Sequence, residues 1–290
     1  MSTWIERAPA KVNLTLHLLR RRDDGFHDLE SLVAFTGAGD TLRLCSAPET
    51  TLVVDGPTAQ GAGAVEDNLV LKSVRALSAR IPGLRSGAFH LTKRLPVAAG
   101  VGGGSSDAAA ALRLLARAND VALGDPRILD AAAEIGSDVP VCLHARARMM
   151  YGRGDELAQP LAMPPVFAVL VNPGVPLETR AVFARIGLKP GQETGFGAHA
   201  PVPQPLSWDA LLSLLKRGRN DMEDAASVLA PVVGHVIAVL SAARGCRLAR
   251  MSGSGATCFA LFETCRAAAR AAAVIRRDHP EWWVKPTVLR

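Results

Sequence analysis

Aromatic side chains make up only 4% of this 290-residue chain, with a single tyrosine, so its core has to be filled by small aliphatic groups. Its five cysteines, Cys45, Cys142, Cys246, Cys258 and Cys265, are odd in number and lack any C-x-x-C pair. That excludes a disulfide framework and a zinc-type ligand cluster, and fits thiols in a reducing compartment. No lysine follows a glycine, which excludes a P-loop. No run of about 18 apolar residues is present to span a bilayer, and the first residues lack the apolar core of a signal peptide. The expectation is a cytoplasmic protein without a membrane partner. The 33 basic residues are spread along the chain, with one tight cluster at Arg20–Arg22 and no interleaved aromatics. Nucleic-acid binding is therefore not indicated. The net charge of +6 suits an anionic small molecule equally well.

What is present is concentrated in PVAAGVGGGSSD, residues 96–107, followed by four alanines. Four glycines in the five positions 100–104 argue against helix or strand there, and they let the main chain approach a ligand with its N–H groups turned inward. Ser105 or Ser106 is the expected N-cap of a helix running to about residue 118, with Asp107 in its first turn. A glycine loop feeding a helix N-terminus is a ready anion site, so phosphate is the first ligand to consider. A plain surface turn is the bland alternative. A dinucleotide fingerprint fails because its last glycine is missing.

Residues 8–19 alternate with period two, placing Lys11, Asn13, Thr15 and His17 on the polar face of a half-buried strand. Taken alone, that face reads as solvated. Further strands are expected at 29–35, 41–44, 51–54 and 88–94, and helices at 69–80 and 126–135, the last closed by Gly136. Asp138 then sits on a loop before a short apolar strand at 139–143. Beyond a boundary at 160 come a strand at 167–171, a long mobile loop at 187–208, and helices at 208–217 and 221–241, the second broken near Pro231. A second glycine loop, MSGSGA at 251–256, enters a strand at 257–262. A helix at 264–277 and a strand at 282–289 complete an α+β pattern, divided into residues 1–160 and 161–290.

Four features in fixed order carry a resemblance: APAKVNL at 8–14, PVAAGVGGGSSDAA at 96–109, GSDVP at 136–140 and MSGSGAT at 251–257. Together they resemble the GHMP kinase superfamily, which phosphorylates small alcohols with ATP. With DGFH at 24–27 and KRLP at 93–96, they are most similar to the branch acting on a cytidine diphosphate-linked methylerythritol. The resemblance implies an N-terminal ribosomal-protein-S5-domain-2-like domain, a C-terminal ferredoxin-like α/β-plait domain and an active site in the cleft between them. It implies ATP and Mg²⁺ as cofactors and a monomer or homodimer.

Residue by residue, the resemblance implies that Pro96, Gly100, Gly102, Gly103, Gly104, Ser105 and Ser106 wrap the phosphates. The Mg²⁺ ligand stays open between Ser105 and Ser106. Asn68, Leu69 and Lys93 correspond to positions for adenine. Asp138 and Lys11 correspond to the catalytic pair at the acceptor hydroxyl. Asn13, Phe26, His27, Thr179 and Phe183 correspond to the substrate side, His27 bonding cytosine and the two phenylalanines stacking on it. Phe26 replaces a more usual tyrosine. Asp107, a carboxylate near triphosphate, needs a cation to face. The alternatives are a GHMP kinase for mevalonate, homoserine or a sugar, a silent nucleotide-binding regulator, or a nucleic-acid binder on the same fold.

Overall fold

The alternating stretch 8–19 becomes two strands, β1 (Thr3–Asn13) and β2 (His17–Arg21), with a break between them. Its polar face is not solvated: Lys11, Asn13, Thr15 and His17 are only 4%, 4%, 0% and 3% exposed. A strand covered on both faces whose buried side is polar must find partners for every one of those groups. The computed structural model describes residues 2–290 and separates them into two compact units interleaved along the chain. The first holds the chain up to Lys11, 38–97 and 102–145; the second holds 12–37, 98–101 and 146–290.

In the first unit, β1 pairs with β3 (His27–Ser46), a long strand whose residues from Ala38 onward belong here. The close approach needs Gly39, where a Cβ would come within 2.5 Å of the Ala8 carbonyl oxygen. The later half of β3 pairs antiparallel with β5 (Gly87–Thr92), and β5 pairs parallel with β4 (Thr51–Asp55). Helices α1 (Leu69–Ser78), α2 (Gly103–Ala118), α3 (Pro126–Ile135) and α4 (Val139–His144) pack against one another. The centre of this packing is α2, whose Ala108–Ala111, Leu112, Leu114 and Leu115 are fully buried. Its alanines let neighbouring helices approach closely, which is how a chain poor in aromatics makes a dense interior.

Two expectations are corrected here. Helix α2 begins at Gly103, with Gly102 as its N-cap in the left-handed region at φ 60°, so the serines lie inside the helix rather than capping it. Gly103 and Gly104 are helical despite their propensity, with Leu95 and Leu69 beside them. Residues 139–143 are helical, not a strand. Five apolar residues are too short for periodicity to decide, and Pro140 favours a helix start.

The second unit is a sheet in the order β11 (Trp283–Leu289), β8 (Val166–Asn172), β10 (Cys258–Phe262), β9 (Leu248–Met251), all antiparallel. Both faces of β8 are covered. Val169 and Val171 enter one core with Leu16, Leu18 and Phe262; Val166, Ala168 and Leu170 enter another with Leu14, Leu32 and Phe259. This double burial is why β8 and β10 read as unbroken apolar runs. Strand β2 forms a hairpin with the start of β3, which also pairs with β6 (Arg148–Tyr151); β6 in turn pairs with β7 (Glu156–Leu157). Helices α5 (Thr179–Ile186), α6 (Trp208–Arg217), α7 (Glu223–Leu229), α8 (Val232–Ala242) and α9 (Cys265–Asp278) complete the unit. The segment between α5 and α6 is not loose. Gly191 donates to the Arg21 carbonyl, Arg21 to the Gln192 carbonyl and Thr194 to the Leu19 carbonyl, fastening it to β2.

Candidate functional site

In the first unit the residues singled out from sequence gather around the start of α2. Asn68 caps α1 by accepting the Val70 N–H at 2.9 Å, and the Leu69 side chain lies 3.4 Å from where a Cβ on Gly104 would sit. Lys93 does not extend into solvent. Its ammonium is buried between Asp40, at 2.5 Å, and Asp107, at 2.7 Å. Burial opposes the ammonium, but the two carboxylates outweigh it and raise its pKa. Burial likewise pushes the Asp107 carboxyl up, to about 7, against the attraction of Lys93. The cation that Asp107 required is thus supplied from within the fold.

Asp40 carries no sequence signal beyond being an acid inside a strand, and it was missed. Its fully buried carboxylate also accepts the N–H groups of Arg94 and Leu95, at 2.5 and 2.8 Å, and so sets the turn that leads through Pro96 into the glycine loop.

The two serines differ. Ser106 is buried, donates its hydroxyl to the Pro9 carbonyl at 2.6 Å and its N–H to the Gly102 carbonyl. Ser105 is half-buried, and its hydroxyl has no hydrogen-bond partner among the described residues. The N–H groups of Gly103, Gly104 and Ser105 belong to the first turn of α2 and have no intrahelical acceptor.

Beside them lies an ion pair. Lys11 Nζ stands 2.6 Å from an Asp138 carboxylate oxygen, with the lysine side chain 5% exposed and the aspartate 37%. The stem of Lys11 runs along Gly102, where a Cβ would approach the Lys11 Cβ to 3.3 Å, so only glycine fits without a shift. Asp138 flanks the N-terminus of α4, and Cys142 of the same helix meets the Ser106 hydroxyl at 3.4 Å. Burial pushes the Cys142 thiol up to about 11, which excludes it as a nucleophile. The arrangement presents a carboxylate outward on an anchored lysine, a layout suited to receiving a proton and steadying negative charge.

In the second unit, Asn13 donates its side-chain amide to Ser31 at 2.8 Å and its N–H to the Ser252 hydroxyl at 3.0 Å. Ser252 in turn donates to the Gly100 carbonyl at 3.1 Å. The two glycine loops meet there, since a Cβ on Gly100 would come within 2.6 Å of the Gly255 and Ser252 oxygens. Asn220 holds the second loop from behind through the Met251 and Gly253 carbonyls. Helix α5 sets Thr179 and Phe183 one turn apart on one face. Thr179 bonds Ser254 at 2.7 Å, and Phe183 stacks on His27 at 4.2 Å between centroids. Phe26 remains 54% exposed with the Arg153 guanidinium 4.8 Å above its ring. No ring contact joins Phe26 to Phe183 among the described residues. Burial, then the Arg21 guanidinium, lowers the His27 pKa, which favours the neutral imidazole. Its Nε2 is buried and has no partner among the described residues, an atom that calls for a ligand.

Comparison with known proteins follows the same lines. Residues 68–146 match the GHMP kinases N terminal domain and residues 206–281 match the GHMP kinases C terminal domain. A 4-diphosphocytidyl-2-C-methyl-D-erythritol kinase of Methylobacterium radiotolerans is 58% identical over 291 residues, covering 100% of both chains. A crystal structure of 4-(cytidine 5'-diphospho)-2C-methyl-D-erythritol kinase superimposes with a TM-score of 0.77 at 33% identity, covering 99% of each chain. A homoserine kinase from Cytophaga hutchinsonii shares the fold alone, with a TM-score of 0.68 at 20% identity over 99% of this chain and 94% of its own. The chain belongs to the GHMP kinases and, among them, to the family of the 4-diphosphocytidyl-2-C-methyl-D-erythritol kinases.

Proposed function

We propose that this chain transfers the γ-phosphoryl group of ATP to the 2-hydroxyl of 4-diphosphocytidyl-2-C-methyl-D-erythritol, giving the 2-phosphate and ADP on the non-mevalonate route to isoprenoid precursors. The observation that carries the chemistry is the 2.6 Å pair of buried Lys11 and outward-facing Asp138 in a chain of this family. Asp138 receives the proton of the acceptor hydroxyl, and Lys11 fixes the carboxylate and steadies the oxygen as it becomes negative. The free N–H groups of Gly103, Gly104 and Ser105, at a helix N-terminus, receive the phosphates. Phosphoryl transfer needs mainly alignment and neutralisation of charge, which these groups supply.

No cluster of three His, Cys, Asp or Glu side chains capable of holding a metal exists among the described residues. Mg²⁺ would enter with the nucleotide, and Ser105, with its unengaged hydroxyl, fits as the hard oxygen ligand that the chain would add. When bound, the ion neutralises charge on the phosphate oxygens. Lys93 supports adenine binding from inside, through the main chain it anchors together with Asp40. On the substrate side, the neutral His27 offers its unpartnered Nε2 to cytosine, with Phe26 and Phe183 as neighbouring ring faces, while Asn13 and Thr179 stand by the methylerythritol hydroxyls. The reaction takes place in the cytoplasm, in keeping with five free thiols.

The test is ADP release with the cytidine diphosphate-linked methylerythritol beside mevalonate, homoserine and galactose. Turnover on the first alone is expected, and turnover only on another alcohol removes the cytidine assignment. In the same assay His27→Ala raises KM for the cytidine substrate about tenfold or more and leaves KM for ATP unchanged, the loss expected for one ligand hydrogen bond and a ring contact.

A further inference from the structure

Helix α2 carries two polar side chains seven residues apart, about two turns and so on one face: Ser106 and Arg113. Both reach the same two elements. Ser106 bonds the Pro9 carbonyl of β1 at 2.6 Å and touches Cys142 of α4 at 3.4 Å. Arg113 donates to the Arg7 carbonyl at 2.7 Å and the Glu6 carboxylate at 3.1 Å on β1. It also donates to the Cys142 and Leu143 carbonyls of α4, at 2.9 and 3.3 Å. Those two elements are the ones that carry the ion pair. Pro9 and Arg7 precede Lys11 by two and four residues on one strand, and α4 is the six-residue helix that follows Asp138.

We propose that Arg113, seconded by Ser106, is a positioning residue that sets the Lys11–Asp138 geometry by gripping the backbone behind both members. The inference rests on the catalytic reading of that pair. Helix α4 is too short to hold its own direction, since most of its carbonyls lack intrahelical N–H donors. A guanidinium satisfies two of them and places a cation at the favourable end of the helix dipole. Its planar fork is what allows one side chain to bind a strand carbonyl, a carboxylate and two helix carbonyls together. An ammonium cannot replace it. Near the reacting atoms, a displacement of about 1 Å costs on the order of a hundredfold in rate.

The experiment is a double-mutant cycle between Arg113→Met and Asp138→Asn, with rates taken per folded enzyme as counted by circular dichroism. Arg113→Met is expected to lower kcat about 10- to 100-fold while both KM values stay within about threefold. In the Asp138→Asn background the same replacement changes kcat less than about twofold, because the geometry it protects no longer matters. Equal fold-losses in the two backgrounds, or a loss confined to KM, overturn the proposal. Should Arg113→Met fail to fold, Arg113→Lys enters the same cycle with the same expectations. If Asp138→Asn alone leaves kcat intact, the catalytic reading of the pair falls, and the brace loses its function with it.

Discussion

Two histidines, buried His17 and half-buried His27, differ in what their Nε2 atoms meet. His17 Nε2 accepts the Arg219 N–H at 3.1 Å, so that nitrogen must stay unprotonated, while His27 Nε2 accepts nothing from the protein. Burial, then the charges of Arg219, His199 and Arg250, takes the His17 pKa from 6.5 down to about 3. A depressed histidine leaves the folded chain with fewer protons than the unfolded chain between those two values. Its contribution to stability is therefore complete above about pH 6.5 and is lost as the pH falls toward about 3. We expect urea unfolding of the wild type to lose roughly 1–3 kcal/mol more between pH 7 and pH 4 than that of His17→Gln. Parallel curves for the two proteins would show that His17 titrates normally.

At the scale of elements, the junction from β5 into the glycine loop hangs on one carboxylate. Asp40→Ala leaves the Lys93 ammonium under-compensated and two backbone N–H groups without acceptors, a loss of about 3–5 kcal/mol in chemical unfolding. Asp40→Asn, which keeps an acceptor, should cost distinctly less. Much of the framework was legible in the sequence. The apolar runs of β8 and β10, the periodic helices α1, α3 and α9 and the loop-to-helix turn at residue 100 each report a local rule that the structure obeys. Helix α4 was not legible, since a short apolar run bounded by proline satisfies the pattern of a strand and of a helix alike. The burial of the polar face of β1 was also hidden, because alternation records only that two faces differ. At the candidate site, Lys11, Asp138 and the glycines stand out as motifs. Arg113, Asp40 and Ser252 act on partners up to 239 residues away in the chain, and no local pattern reports that.

At the scale of the whole chain, the two compact units are not successive segments. The cores of the second contain Leu14, Leu16, Leu18, Leu32 and Met149 as well as residues from 166 onward. A fragment of residues 161–290 would expose the apolar surface that these side chains cover. It is expected to show no cooperative thermal unfolding, and a sharp transition in calorimetry would contradict this account. Strand β11 has a consequence for how the protein is made. It pairs with β8 along residues 283–289, and its Leu289 lies opposite Thr36 of β3. A nascent chain therefore cannot finish the second unit until β11 emerges. Until then one edge of β8 has no neighbour, and the half-made sheet is open to association with other chains.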